Sequence, residues 1–422
     1  MAKIRYRGIA DRLSWSPQQQ ARYGEARLRA VLERAFSSVP FYEKRLHQHG
    51  LTLRELRHLK NLTVVPLISL ADLEREHDAF LVRDTQPSAC VSRCRAGTSD
   101  RTMRVYLSPD ECRMLRAIER RTIESSGLTG RYTSLMVVPP NQIPPPPGWC
   151  EQLLHGRRYY VSSFETTPEH LRVLRQTRPD CVAAPLWVLT RLVKEIQRSQ
   201  PLGFAPRLVL SWGECMRDAD REALRETFRV VPTDLYQAWE FGPLAAECPL
   251  HDGLHVNFDL AYIEILSQGR TIETDEIGEV VLTSLVNHTM PLIRYRLGDL
   301  ANWKKVPCAC GWKGPVLAGV HGRLEQAILL PTGGHIGVRQ LEKCLDQFTN
   351  ILAYRAIQTD RRMVELLIVP STLFQERTAQ LLRQKCLELF NNEVGVELRT
   401  VNELPILTGN RRQPILCKLP RV

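Results

Sequence analysis

Met290-Pro-Leu-Ile-Arg-Tyr-Arg-Leu-Gly-Asp-Leu300 decides how the rest of this chain is read. It follows a stretch that reads as a strand, Gly278-Glu-Val-Val-Leu-Thr-Ser-Leu285, and it sets arginines and one aspartate at a glycine turn. The same residues also suit an Arg–Asp pair that merely stabilises a surface turn. The segments around them carry the decision.

The bulk numbers narrow the field first. The chain has 422 residues, 43% hydrophobic and 24% charged, which fits an ordinary globular protein long enough for two unequal domains. No apolar stretch approaches the ~18–20 residues of a membrane span. Met1-Ala-Lys-Ile-Arg-Tyr-Arg-Gly8 has basic residues without the apolar core of a signal peptide. A cytoplasmic location with no membrane partner is expected. The net charge of +11 raises nucleic acid as a partner. The arginines, however, are dispersed among acids, as in Leu171-Arg-Val-Leu-Arg-Gln176 and Arg221-Glu-Ala-Leu-Arg-Glu-Thr-Phe228, and no basic block is interleaved with aromatics. The charge reads as a solvated basic surface, which also favours an anionic ligand.

Leu28, Val31, Leu32, Ala35 and Phe36 share one helical face, and the helix stops at Val39-Pro40-Phe41-Tyr42. Ser108-Pro-Asp-Glu111 opens another helix with a capping box and a proline at its first position. Ile143-Pro-Pro-Pro-Pro-Gly148 reads as a rigid loop. From Ile328 the pattern changes to strands at 351–358, 363–369 and 396–401 and an amphipathic helix over 373–390 through Leu381, Leu382, Cys386, Leu389 and Phe390.

These pieces fall in the order of a known family. Met290–Leu300 resembles the Tyr-Arg-X-Gly-Asp motif of the adenylate-forming (acyl-CoA synthetase, ANL) superfamily, in the form of its phenylacetate–CoA ligase-like branch. There the aspartate, here Asp299, accepts hydrogen bonds from both ribose hydroxyls of ATP, two acceptor oxygens facing two adjacent donors. The helix running into Val39-Pro-Phe-Tyr42 is similar to the start of the same branch. Cys94-Arg-Ala-Gly-Thr-Ser-Asp-Arg-Thr102, between expected strands at 89–93 and 104–108, aligns with the loop that wraps the ATP phosphates, and keeps Gly97, Thr98 and Ser99. Leu208-Val-Leu-Ser-Trp-Gly-Glu-Cys215 resembles the segment lining the acyl and adenine pocket, with Gly213 and Glu214. In Tyr236-Gln-Ala-Trp-Glu-Phe-Gly242 the resemblance gives Tyr236 the adenine side and Glu240 the Mg²⁺. Trp239 suits a core aromatic or a pocket wall equally. Gly322-Arg-Leu-Glu325 matches the hinge, with Arg323 reaching the nucleotide and Glu325 in place of the usual aspartate. Thr332-Gly-Gly-His-Ile-Gly337 matches the glycine-rich turn that follows.

Twelve cysteines without a signal peptide argue for thiols and a metal rather than a disulfide framework. Cys248-Pro-Leu-His251 and Cys308-Ala-Cys310-Gly311 supply three thiolates and an imidazole, a closed tetrahedral set for structural Zn²⁺. His255 competes with His251, although it lies farther from Cys248. Some members of the resembling branch carry such a zinc knuckle.

The expected fold is α/β (mixed α+β): a large multi-sheet adenylation domain over residues 1–322, carrying the zinc knuckle, and a small mobile α+β lid over 323–422. The resemblance implies an AMP-forming ligase that joins a carboxylic acid to a thiol such as coenzyme A; Trp212, Trp239 and Tyr236 suit an aryl acid and equally a filled pocket. Its cofactors are ATP/AMP, Mg²⁺ and Zn²⁺; a homodimer is compatible. Two departures support an alternative, a degenerate nucleotide-binding homologue. Asp100 and Thr102 replace a glycine and a proline of the phosphate loop, and a carboxylate there repels phosphate. Asn410 stands where the family's catalytic lysine belongs, followed by Arg411 and Arg412, and a guanidinium does not reproduce a compact ammonium charge.

Overall fold

The computed structural model describes residues 8–50, 59–94, 103–143, 156–405 and 413–419. Among them no helix is long and apolar enough to cross a membrane. Helix Pro17–Ser38 starts at a capping box between Ser16 and Gln19 and buries Leu28, Val31, Leu32, Ala35 and Phe36, the face expected from the sequence. Pro40 cannot continue it and instead opens a second helix, Pro40–Gln48.

Helix Pro109–Ser125 begins as its sequence dictates: the Ser108 hydroxyl accepts from the Glu111 amide, and Glu111 Oε2 accepts from the Ser108 amide at 2.6 Å. The other oxygen of Glu111 accepts from the amides of His288 and Thr289 at 2.7 and 3.1 Å. One capping carboxylate therefore also holds the chain just ahead of Met290.

The largest sheet has twelve strands. At one end Arg158–Ser162, Ser134–Val138, Cys181–Pro185, Leu208–Trp212 and Thr233–Ala238 run parallel. Antiparallel strands Gly242–Glu247 and Leu254–Val256 follow. The order continues through Val316–Arg323, Tyr295–Trp303, Gly278–Ser284, Ala261–Ser267 and Arg270–Thr271. Helices Thr167–Thr177, Leu186–Arg198 and Asp218–Phe228 cover one face of the parallel part, packing Leu174, Leu189, Leu192, Val193, Leu224 and Phe228 on Val182, Ala184 and Val209. Each large apolar side chain so buried contributes about 1.5–3 kcal/mol. Arg158–Ser162, Ser134–Val138, Cys181–Pro185 and Thr233–Ala238 lie outside the sequence expectations. Cys181–Pro185, for one, is buried at every residue, so it shows no alternation to read.

By its contacts the chain forms two compact units. One comprises Met1–Glu264, Val281–Leu297 and Trp303–Ala318; the other comprises Ile265–Val280, Gly298–Asn302 and Gly319–Val422. The second unit thus takes two short internal segments as well as the C-terminal region. It contains a four-stranded sheet in the order Gly395–Thr400, Met363–Pro370, Ile351–Asp360, Ile415–Cys417. Helices Val338–Leu345 and Glu376–Leu389 share its core through Leu341, Leu345, Val364, Leu366, Leu382 and Cys386. Leu381 departs from the expected face of the second helix and is 48% exposed, because Leu382, Cys386 and Phe390, four apart, form the buried stripe.

Candidate active site and metal centre

The Met290–Leu300 segment is anchored before it presents any polar group. The Tyr42 hydroxyl, fully buried, donates to the Pro291 carbonyl at 3.0 Å and accepts from the Ile293 amide at 2.9 Å. Arg294 sits at φ +49°, a left-handed conformation that disfavours side chains with a Cβ. Its buried guanidinium holds it there, donating to the carbonyls of Thr63 and Val65 at 2.9 and 2.7 Å and to Glu264 Oε2 at 3.2 Å. Ile68 bridges Tyr295 on the other side. The sequence reading gave no role to Arg294, Tyr42 or Tyr295; the available signal was the place of Arg294 and Tyr295 inside the motif and of Tyr42 in Val39-Pro-Phe-Tyr42.

After this kink the chain enters strand Tyr295–Trp303, so the expected glycine turn is instead a strand interior with one left-handed residue, Gly298, at φ +81°. The Tyr295 hydroxyl donates to Glu240 Oε1 at 2.9 Å, and the ring lies 6.2 Å from that of Phe241. Glu240 is buried. It follows the end of strand Thr233–Ala238, and Gly213-Glu214 follows the end of its parallel neighbour Leu208–Trp212. Segments just beyond the carboxyl ends of adjacent parallel strands are where open α/β sheets bind ligands. Gly213 has φ +90° with open space around its missing Cβ, so backbone conformation rather than crowding requires glycine there. Tyr236 is buried and Trp239 half-buried.

In the second unit, Arg323 Nη1 donates to Asp299 Oδ1 at 3.0 Å, and its Nε lies 3.8 Å from Glu325 Oε1. A Cβ on Gly298 would stand 3.2 Å from Arg323 Nη2, so the glycine admits the guanidinium beside Asp299. Arg323 ends strand Val316–Arg323 and Glu325 lies in the 3₁₀ turn after it, placing the three sequence-assigned groups together. Gly97, Thr98, Ser99, Asp100, Thr102, Asn410, Arg411 and Arg412 lie outside the described residues.

The cysteine cluster forms with a different histidine from the one expected. Cys248, His255, Cys308 and Cys310 bring their ligand atoms within 4.8 Å of one another. His251 turns away: at φ +52° its Nδ1 lies 2.9 Å from Glu247 Oε2, a carboxylate that also takes Arg221 at 2.8 Å. Strand pairing sets His255 opposite Ala246, two residues before Cys248, and so returns its ring to the thiols. The ring also stacks on Trp312 at 5.3 Å.

Cys248 and Cys308 Sγ atoms are 3.7 Å apart, and Cys310 Sγ is 3.7 Å from His255 Nε2. A tetrahedron of thiolates ~2.3 Å from a central Zn²⁺ has edges of ~3.8 Å, so the donor set fits the ion. The Leu250 and Trp312 amides each point at a sulfur, at 3.4 Å, and such donors favour thiolate over thiol. Without a cation, burial pushes the Cys248 thiol up and the Cys310 thiol up to about 12. Burial lowers His255, which keeps the imidazole neutral as a ligand must be. His255→Ala is expected to abolish the zinc content of purified protein, measured by mass spectrometry of the metal, while His251→Ala leaves it intact. The reverse pattern would reinstate His251.

No known protein-family profile matches the chain. Among curated proteins it is 21% identical to the phenylacetate–coenzyme A ligase of Thermus thermophilus over 355 residues, covering 80% of this chain and 77% of that protein. It is 23% identical to the enzyme of the same name from Escherichia coli K12 over 390 residues, 85% of each chain. Among solved structures, 2-hydroxyisobutyryl-CoA ligase in complex with R3-HIB-AMP superposes with a TM-score of 0.74 over 97% of this chain and 92% of that one, at 16% identity. O-succinylbenzoate coenzyme A synthetase from Bacillus subtilis in complex with AMP gives 0.54 over 78% and 69%, also at 16% identity. Over most of its length the chain is thus similar to phenylacetate–coenzyme A ligases, and it shares the fold of solved coenzyme A ligases.

Proposed function

We propose that the protein is an AMP-forming ligase that activates a carboxylic acid with MgATP and passes the acyl group to a thiol, coenzyme A in the first instance. The acid's carboxylate oxygen attacks the α-phosphorus; the bond to the β-phosphate oxygen breaks and pyrophosphate leaves. The thiol sulfur then attacks the acyl carbonyl, AMP departs, and the thiol proton passes to solvent. The observation that carries this reading is the Asp299–Arg323 pair beside a left-handed glycine: a carboxylate already turned towards donors suits two vicinal ribose hydroxyls. In this reading Tyr236 lines the adenine side, Thr98 and Ser99 face phosphate, and Glu240 holds Mg²⁺, which screens the phosphate charge when bound. Zn²⁺ at Cys248, His255, Cys308 and Cys310 is structural, since four protein ligands leave no open position. The region beyond Gly322 acts as the lid and turns about Glu325.

Acid-dependent ATP–pyrophosphate exchange on zinc-replete protein tests the reading with a panel of aryl and aliphatic acids. Exchange with one acid class supports it; no exchange with any acid on folded, metal-loaded protein overturns it. Asn410→Lys restores an ammonium at the position the family uses in the transition state, and is expected to raise the exchange rate about 10²-fold. An unchanged rate would show that another cation already covers the step.

A further inference from the structure

We propose that Tyr295 is a positioning residue for Glu240 and sets how tightly that carboxylate takes a divalent cation; the inference rests on the ligase reading above. Glu240 is 6% exposed and Tyr295 2%. The Tyr295 hydroxyl donates to Glu240 Oε1, 2.9 Å away. That contact holds the side chain in one rotamer and uses one of the about four acceptor positions a carboxylate carries, and carboxylate oxygens are the ligands a hard divalent cation prefers.

The phenol is itself held from several directions. Arg294, next to it, is locked in a left-handed conformation by two carbonyls and Glu264. The Phe241 ring flanks the Tyr295 ring at 6.2 Å. Because neither group has to move, Glu240 meets the cation already oriented, and little freedom is lost on binding. Arg294 thus acts on the cation through Tyr295, and its anchoring acquires a chemical purpose.

Tyr295→Phe removes the hydroxyl and keeps the buried ring. The measurement is ATP binding by calorimetry across a Mg²⁺ titration, with AMP binding in the absence of Mg²⁺ and the melting temperature alongside. Loss of a hydrogen bond to a charged group is expected to raise the Mg²⁺ midpoint about tenfold. AMP affinity should stay as in the wild type. Tyr42→Phe deletes another buried phenol, one that anchors the same segment from helix Pro40–Gln48, without touching Glu240. It is expected to lower the melting temperature and leave the Mg²⁺ midpoint in place. A wild type that binds MgATP, with the Tyr295→Phe midpoint unmoved, overturns this inference alone. Equal shifts in both variants do so too, because they report general loosening. A wild type that binds no nucleotide at any Mg²⁺ concentration overturns the ligase reading and this inference with it.

Discussion

Asp299→Ala is expected to lower ATP–pyrophosphate exchange at limiting ATP by about 10²–10⁴-fold, the equivalent of two hydrogen bonds to a charged acceptor. Asp299 is 9% exposed and its carboxylate faces Arg323 at 3.0 Å, so its deletion removes both the acceptors proposed for the ribose hydroxyls and the partner that orients the guanidinium. Asp299→Asn keeps the shape and one acceptor oxygen, and should fall between wild type and alanine. The comparison is made at matched folded fraction, read from circular dichroism. Full exchange activity in Asp299→Ala at low ATP would remove this residue from the nucleotide site.

Asp259→Ala should be the most destabilising single change in the larger unit. Asp259 accepts from Arg121 through both oxygens, at 2.6 and 2.7 Å, and from Arg12 at 2.7 Å; Arg121 and Asp259 side chains are both fully buried. Arg121 also donates to Asn257 at 2.7 Å and to the Ile9 carbonyl at 3.2 Å, tying the N-terminal segment to the sheet. Removing the carboxylate leaves two guanidinium groups facing each other out of water, a loss of about 3–5 kcal/mol in chemical denaturation. Glu222→Ala, which breaks an exposed pair with Arg225, serves as the control and should leave stability unchanged.

Acid has a related effect. Burial alone would raise the Asp259 carboxyl, but Arg121 and Arg12 together hold it below its ordinary value. Its contribution is therefore complete above the unfolded-state pKa of ~3.9 and is lost as the pH falls through the lower folded value. A denaturation loss under about 1 kcal/mol for Asp259→Ala would show that water reaches the site and solvates both arginines.

What the sequence made legible follows from the range of each interaction. Capping is local, so Ser108 and Glu111 announced their helix, although nothing local showed that Glu111 would also hold His288 and Thr289. Cys181–Pro185 escaped because a segment covered on both faces has no polar alternation. Leu381 was misplaced because an apolar pair at 381–382 leaves the choice of face open, and packing within the small core made that choice. The thiols of the metal centre were readable from their spacing. The histidine was not, since His251 is nearer in sequence while a strand pairing brings His255 back. Asp299 and Arg323, 24 residues apart, were linked only through resemblance, and the guanidinium packs closely over Gly298 where a Cβ would stand 3.2 Å from it.

The metal centre has a topological consequence. Its ligands come from two places in the chain, Cys248 and Cys308 being 60 residues apart. A cation that kept both pairs of ligands in the unfolded polypeptide would close a ring of this span, and the chain entropy removed from that state would favour the native one by on the order of 4 kcal/mol. The ring would enclose Glu264, Arg294, Tyr295 and Asp299. Chains lacking the cation would have to order the same stretch as an open loop.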